Sequence, residues 1–233
     1  MKSFFRTEWG KLRVMTFAEK RQYIWEYYKI HMLVGGFLIL VFGSLFYTWF
    51  INPPLRDYLY IAWVGDEAHS QTLADIGEAL TTIVENPARE RVYVASYALT
   101  GNPGMDNMLQ QRFIAMLQTS SLDLYLTNLD GVQELAETGF SRPVGDIMHS
   151  VARLDPGLHR LVSESLVTIT FELDGNEYTD GMGIYLADTP LFEHLEIDAN
   201  GLYLAVVSNT LNFHRIAKAL EAIFLWNQQT ETF

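Results

Sequence analysis

The pattern of apolar positions opens with a run from Leu33 to Ile51, LVGGFLILVFGSLFYTWFI, nineteen residues without a charge. A hydrocarbon core about 30 Å thick needs about 20 such residues in a helix, so the run predicts one membrane span rather than a buried core helix. Upstream, Thr16 and Glu19 have the Thr-x-x-Glu spacing of a capping box, just ahead of EKRQYIWEYYKIHM. This predicts an amphipathic helix that begins there and runs into the span. After the stiff linker Asn52-Pro53-Pro54 the periodicity changes. DYLYIAWVG (57–65), ERVYVASYAL (90–99) and LDLYLTNL (122–129) are β-branched and aromatic runs that read as buried strands. Between the first two, Leu73, Ile76, Leu80, Ile83 and Val84 recur at helical spacing until Asn86-Pro87 stops the helix. Between the second and third, Met105, Met108, Leu109, Phe113, Met116 and Leu117 share one broad helical face, which is expected to lie in the core because Met fills irregular gaps. A short helix over 132–138 ends at Gly139 as a C-cap, and Pro143 opens another that runs to Leu154.

Strands alternating with helices predict right-handed crossovers. Further on, LVTITFEL and EYTDGMGIYL alternate in period two around Asp174-Gly175, a hairpin signal. LYLAVVSN (202–209) is one more strand, feeding an amphipathic helix from Phe213 to Trp226. The expected fold class is α/β: an N-terminal amphipathic plus transmembrane helix, then one mixed, mainly parallel sheet flanked by helices. The expected domains are a cytoplasmic basic and aromatic juxtamembrane helix (1–32), a transmembrane helix (33–51), a linker (52–56) and an extracytoplasmic α/β domain (57–233).

Charge gives this layout a direction. Residues 1–52 hold seven basic groups against three acidic ones, net +4, and the rest of the chain holds nine basic against twenty-five acidic, net −16. The positive-inside bias keeps the N-terminus in the cytoplasm and sends the acidic domain outside. Trp25, Tyr28 and Lys29 on one side, and Tyr47 and Trp49 on the other, are the expected membrane-interface residues. The expected localisation is the cell membrane, single-pass, with the lipid bilayer as one partner. A cleaved signal peptide is disfavoured, because the run is too long and ends in Tyr47, Trp49, Phe50 and Pro53. The chain has no cysteine, so disulfides, thiol nucleophiles and thiolate metal sites are excluded. A face of net −16 also repels phosphate, so nucleic acid is not an expected partner of the outer domain.

Three stretches carry a family resemblance: LDLYLTNLDGVQELAETGFSRPVGDI (122–147), DGNEYTDGMGIYL and LYLAVVSNTLNFHRIAKALEAIF. They resemble, in turn, the strand, short helix and glycine loop, the hinge hairpin, and the closing strand and helix of the first lobe of type II extracytoplasmic solute-binding proteins, which deliver ligands to ABC importers. With MTFAEKRQYIWEYYKIH and the span, the chain also resembles small single-pass membrane proteins of Gram-positive bacteria that carry such a reduced domain. The resemblance implies a solute-binding-like lobe. Only about 25 residues separate Leu154 from Asp180, which leaves almost no room for a second lobe.

In open α/β sheets ligands sit beyond the carboxyl ends of the strands. The candidate ligand-binding residues are therefore Trp63, Asp66, Tyr97, Asn102, Asn128, Asp180, Tyr185 and Asn209, with the aromatics suited to stacking and the aspartates to a cation or amine. The histidines are scattered without His-x-x-x-His spacing, and Gly-x-Ser-x-Gly and phosphate-cradling glycine loops are absent. No enzyme activity, cofactor or metal is expected. The expected function is an accessory or interaction subunit of a membrane assembly of the ABC-transporter type, with a transporter subunit as protein partner. The alternative is an extracytoplasmic protein that captures or senses a small ligand.

Overall fold

The computed structural model describes residues 15–64, 69–97 and 103–226. The chain divides into two compact units, Met1–Pro54 and Leu55–Phe233.

In the first unit a single helix, α1 (Phe17–Phe46), continues through a π-helical turn at Tyr47–Ile51. Its start is as the Thr-x-x-Glu spacing predicts. The Glu19 carboxylate accepts from the Thr16 backbone N–H at 2.8 Å and from its hydroxyl at 2.9 Å. These bonds favour the anion and hold Glu19 below the usual carboxylate range. The stretch Tyr28–Ile51 is 24 residues long, apolar enough to cross a membrane and entirely unburied. It begins five residues before the charge-free run, because one lysine near an end does not spoil a span. Trp25 and Tyr47 are both majority-exposed. At about 1.5 Å per residue the 22 positions between them span roughly 33 Å, close to a bilayer's hydrocarbon thickness.

In the second unit seven strands among the described residues form one mixed sheet. The elements are β1 (Arg56–Trp63), α2 (Ser70–Thr81), β2 (Glu90–Ser96), α3 (Pro103–Gln118), β3 (Leu124–Thr127), α4 (Leu129–Glu137), β4 (Ser141–Arg142), α5 (Gly145–Leu154), α6 (Pro156–Glu164), β5 (Leu166–Leu173), β6 (Asn176–Tyr185), α7 (Pro190–His194), β7 (Tyr203–Val207) and α8 (Phe213–Phe224). The sheet order is β2-β1-β3-β7-β6-β5, with β4 on β7. The α/β class and the single mixed sheet are as expected, but the mainly parallel pairing is not. Only β1–β2 and β1–β3 pair in parallel, while β3–β7, β6–β7, β5–β6 and β4–β7 are antiparallel. The cause is β7: it inserts beside β3 running the opposite way and carries the hairpin outward on its far edge. Asp174 and Gly175 both have positive φ, which makes the predicted hairpin turn.

Period-two alternation sorts the strand residues onto two faces. Leu59 and Ile61, Val92 and Val94, Leu124 and Leu126, and Leu204 and Val206 face a core closed by α2, α5, α6 and α8. Tyr60 and Ala62, Ala95, Tyr125, and Ala205 and Val207 face the other side, under α3 and α4. Every residue of β3 is buried, as a strand covered on both faces requires. Helix α6 has no counterpart in the expected layout. The pattern there is short, and its decisive signal is Asp155, whose carboxylate accepts from the Gly157 and Leu158 N–H groups beside Pro156. One carboxylate lies inside this framework. Asp123, 4% exposed, accepts from the Tyr60 N–H (3.0 Å), the Thr210 hydroxyl (2.7 Å) and the Asn212 amide (2.8 Å), joining β1, β3 and the entry to α8.

Candidate functional site

Strands β1, β2, β3 and β6 end on the same side of the sheet. Trp63 lies opposite Ser96 and Leu126, Thr127 opposite Tyr203, and Tyr203 opposite Tyr185. Four sequence candidates, Trp63, Tyr97, Asn128 and Tyr185, therefore reach one end of the sheet. Two do not. Asp180 lies five residues before Tyr185 on β6, opposite Ile169, so about 17 Å away at strand rise. Asn209 follows β7, which runs the other way, so it lies at the far end and donates its amide to the Leu117 carbonyl. Asp66 and Asn102 lie outside the described residues.

The four that meet do not form one pocket. Trp63 packs against the core under α2, whereas Tyr97 belongs to the opposite face. The Asn128 side chain caps α4, accepting from the Gly131 N–H at 2.8 Å. Tyr185 packs on Tyr203 with ring centroids 5.2 Å apart. The four strand-end candidates are thus a capping residue, two packed aromatics and one groove-wall residue.

That wall residue, Tyr97, leads to the site that is present. The chain passes from β1 through α2 to β2, then crosses through α3 to β3 on the other side of β1. At this switch a groove of about 360 Å³ opens between α3 and α4. Val64 and Tyr97 form its strand side, Gln110, Phe113 and Ile114 its α3 wall, and Gly131, Glu134, Leu135 and Thr138 its α4 wall, with Phe140 beyond. The α3 wall corrects an expectation in part: of the stripe, Phe113, Met116 and Leu117 pack on the core, Met108 does not, and the Met105 side chain lies outside the described residues. Of the described side chains of α3 only Leu117 is buried; Met108 is 67% and Ile114 46% exposed. The methionine stripe is thus not a core stripe along its length. The signal in the sequence was Ile114, an apolar residue that falls outside the stripe and has no core position to fill.

The groove floor is an aromatic network. The Tyr60 and Tyr97 hydroxyls share a hydrogen bond of 2.7 Å, and Tyr60 stacks on Tyr93 at 5.0 Å. Phe113 bridges Tyr97 (5.3 Å) and Tyr125 (5.9 Å), and the Tyr125 hydroxyl donates to the Phe140 carbonyl at 3.1 Å. Burial, and then the bond to Tyr97, push the Tyr60 phenol well above its ordinary value, and burial does the same to Tyr125, so both stay protonated. The α4 wall is set by contact. The Gly131 backbone lies against Thr127, whose buried hydroxyl has no partner among the described residues, and a Cβ at 131 would overlap that oxygen.

Chemically, the groove is an apolar cleft with one ionised lining side chain, Glu134, among the described residues. Nor do the described His, Asp and Glu residues include a group of three or more placed to hold a metal ion. No protein-family model, curated protein or solved structure matches the chain.

Proposed function

We propose that this protein is a membrane-tethered interaction subunit that holds its α/β unit outside the cytoplasm and docks it on another membrane protein. The observation that carries the reading is the α3 wall: Leu117, Phe113 and Met116 pack on the core, but Met108 and Ile114 are left exposed, Ile114 lining an open apolar groove. Large apolar side chains left exposed beside a cleft are the kind of surface that interaction sites use. The single apolar helix at Tyr28–Ile51 supports tethering to the bilayer. The charge difference, net +4 before the linker and net −16 after it, supports an N-terminus in the cytoplasm. An ABC-type transporter is the class of assembly that the solute-binding-like patterns point to. Isolating the tagged protein from its native membranes in mild detergent tests the reading: a stoichiometric membrane-protein partner is expected, and a lone monomer at physiological expression contradicts it.

A further inference from the structure

The groove's surroundings narrow the chemistry of its occupant, on the premise of the interaction reading above. Helix α4, LDGVQELAE, carries three charged residues, all acidic: Asp130, Glu134 and Glu137. Asp130 and Glu134, spaced i and i+4, form a short exposed ridge of which Glu134 lines the groove, whereas Glu137 turns to the cleft that α4 makes with the β5–β6 hairpin, beside Gln133 and Thr170. No hydrogen bond or ion pair engages the Glu134 carboxylate among the described residues. On the other side of this ridge the walls are Ile114, Phe113 and Leu135. An apolar trough beside the exposed carboxylates of Asp130 and Glu134 is complementary to one kind of segment: a helix with apolar anchors on one face and cations along the flank.

We propose that the α3–α4 groove docks a basic amphipathic helix of a partner protein. Its apolar anchors enter between Ile114 and Leu135, and its Lys or Arg side chains, at i and i+4, pair with Asp130 and Glu134. Nine residues of α4 run about 13 Å, so the docked helix contributes about two turns and two anchors.

The test uses the full-length protein in lipid nanodiscs and a fluorescent 14-residue helical peptide with Leu at i, i+4 and Lys along one flank. A peptide with Glu in place of each Lys is the counter-probe. The Leu/Lys peptide is expected to bind, and Ile114→Asp to weaken it about tenfold. Glu134→Lys is expected to weaken it about threefold to tenfold and to raise affinity for the Leu/Glu peptide. Glu193→Lys, on α7, makes the same change in net charge away from the groove and is expected to leave binding within about twofold. Equal losses from Glu193→Lys and Glu134→Lys overturn the proposal, since the attraction is then the general field of an acidic domain. An unchanged affinity in Ile114→Asp also overturns it. So does self-association through the groove, seen as a dimer that Ile114→Asp dissolves. If a native partner co-purifies equally with wild type and with Ile114→Asp plus Glu134→Lys, the groove assignment fails while the interaction reading stands.

Discussion

The backbone of Gly131 lies against the side chain of Thr127, so close that any Cβ at 131 would overlap the threonine hydroxyl. This contact seats the first turn of α4 directly on the end of β3 and thereby sets one wall of the groove. Gly131→Ala is expected to force α4 outward and to cost about 1–3 kcal/mol by overpacking. The double variant Gly131→Ala, Thr127→Ala is expected to recover a large part of that loss. Urea denaturation of the full-length protein in detergent checks both; no coupling between the two changes contradicts the contact.

Asp123 ties three segments together through neutral donors. Asp123→Ala leaves the Tyr60 N–H, the Thr210 hydroxyl and the Asn212 amide without their acceptor. A loss of about 1–3 kcal/mol is expected, against less than about 0.5 kcal/mol for the exposed Glu193→Ala. Chemical denaturation separates the two, and equal losses contradict the role of Asp123.

Stability also depends on the phenols of the groove floor. Burial and hydrogen bonding raise Tyr60, and burial raises Tyr125, above the ordinary 10.0. The folded state therefore holds protons that the unfolded chain releases as pH passes about 10. The stabilisation is complete below that pH and is lost as pH rises above it. Circular dichroism should show alkaline unfolding accompanied by delayed tyrosinate absorbance. Tyr60→Phe with Tyr97→Phe is expected to make the loss of stability above pH 10 shallower, and an unchanged slope contradicts the assignment.

The cysteine-free chain lends itself to a topology measurement. In intact cells a membrane-impermeant maleimide is expected to label Glu177→Cys on the hairpin and to leave Gln22→Cys on α1 unlabelled until the membrane is opened. The reverse pattern contradicts the orientation.

Much of the architecture was legible in the chain because each signal was local. Thr16 with Glu19, Asp174-Gly175 and the uncharged run from Leu33 all act through neighbours in sequence, and each appears where expected. The pairing of β7 was not local. Nothing in LYLAVVSN states that it runs antiparallel beside β3, because that register is set by Leu124 meeting Val206 across 82 positions. The site suffered for the same reason. Assigning every strand-end residue to one pocket assumed that all strands end on one side, and β7 sends Asn209 to the other. Alternation then separates Trp63 from Tyr97, since they project from opposite faces of the sheet. The exposure of α3 was hidden by its composition, because a helix rich in Met, Leu and Phe reads alike whether a core or a partner covers it.

The central claim is that the exposed α3 wall meets a partner at the membrane, and photo-crosslinking in native membranes tests it most directly. A photoreactive residue placed at Ile114 is expected to yield one discrete crosslinked membrane protein. The same residue at Leu211, 87% exposed at the opposite end of the sheet, is expected to yield none. Crosslinks of equal intensity from both positions, or none from Ile114, would contradict it.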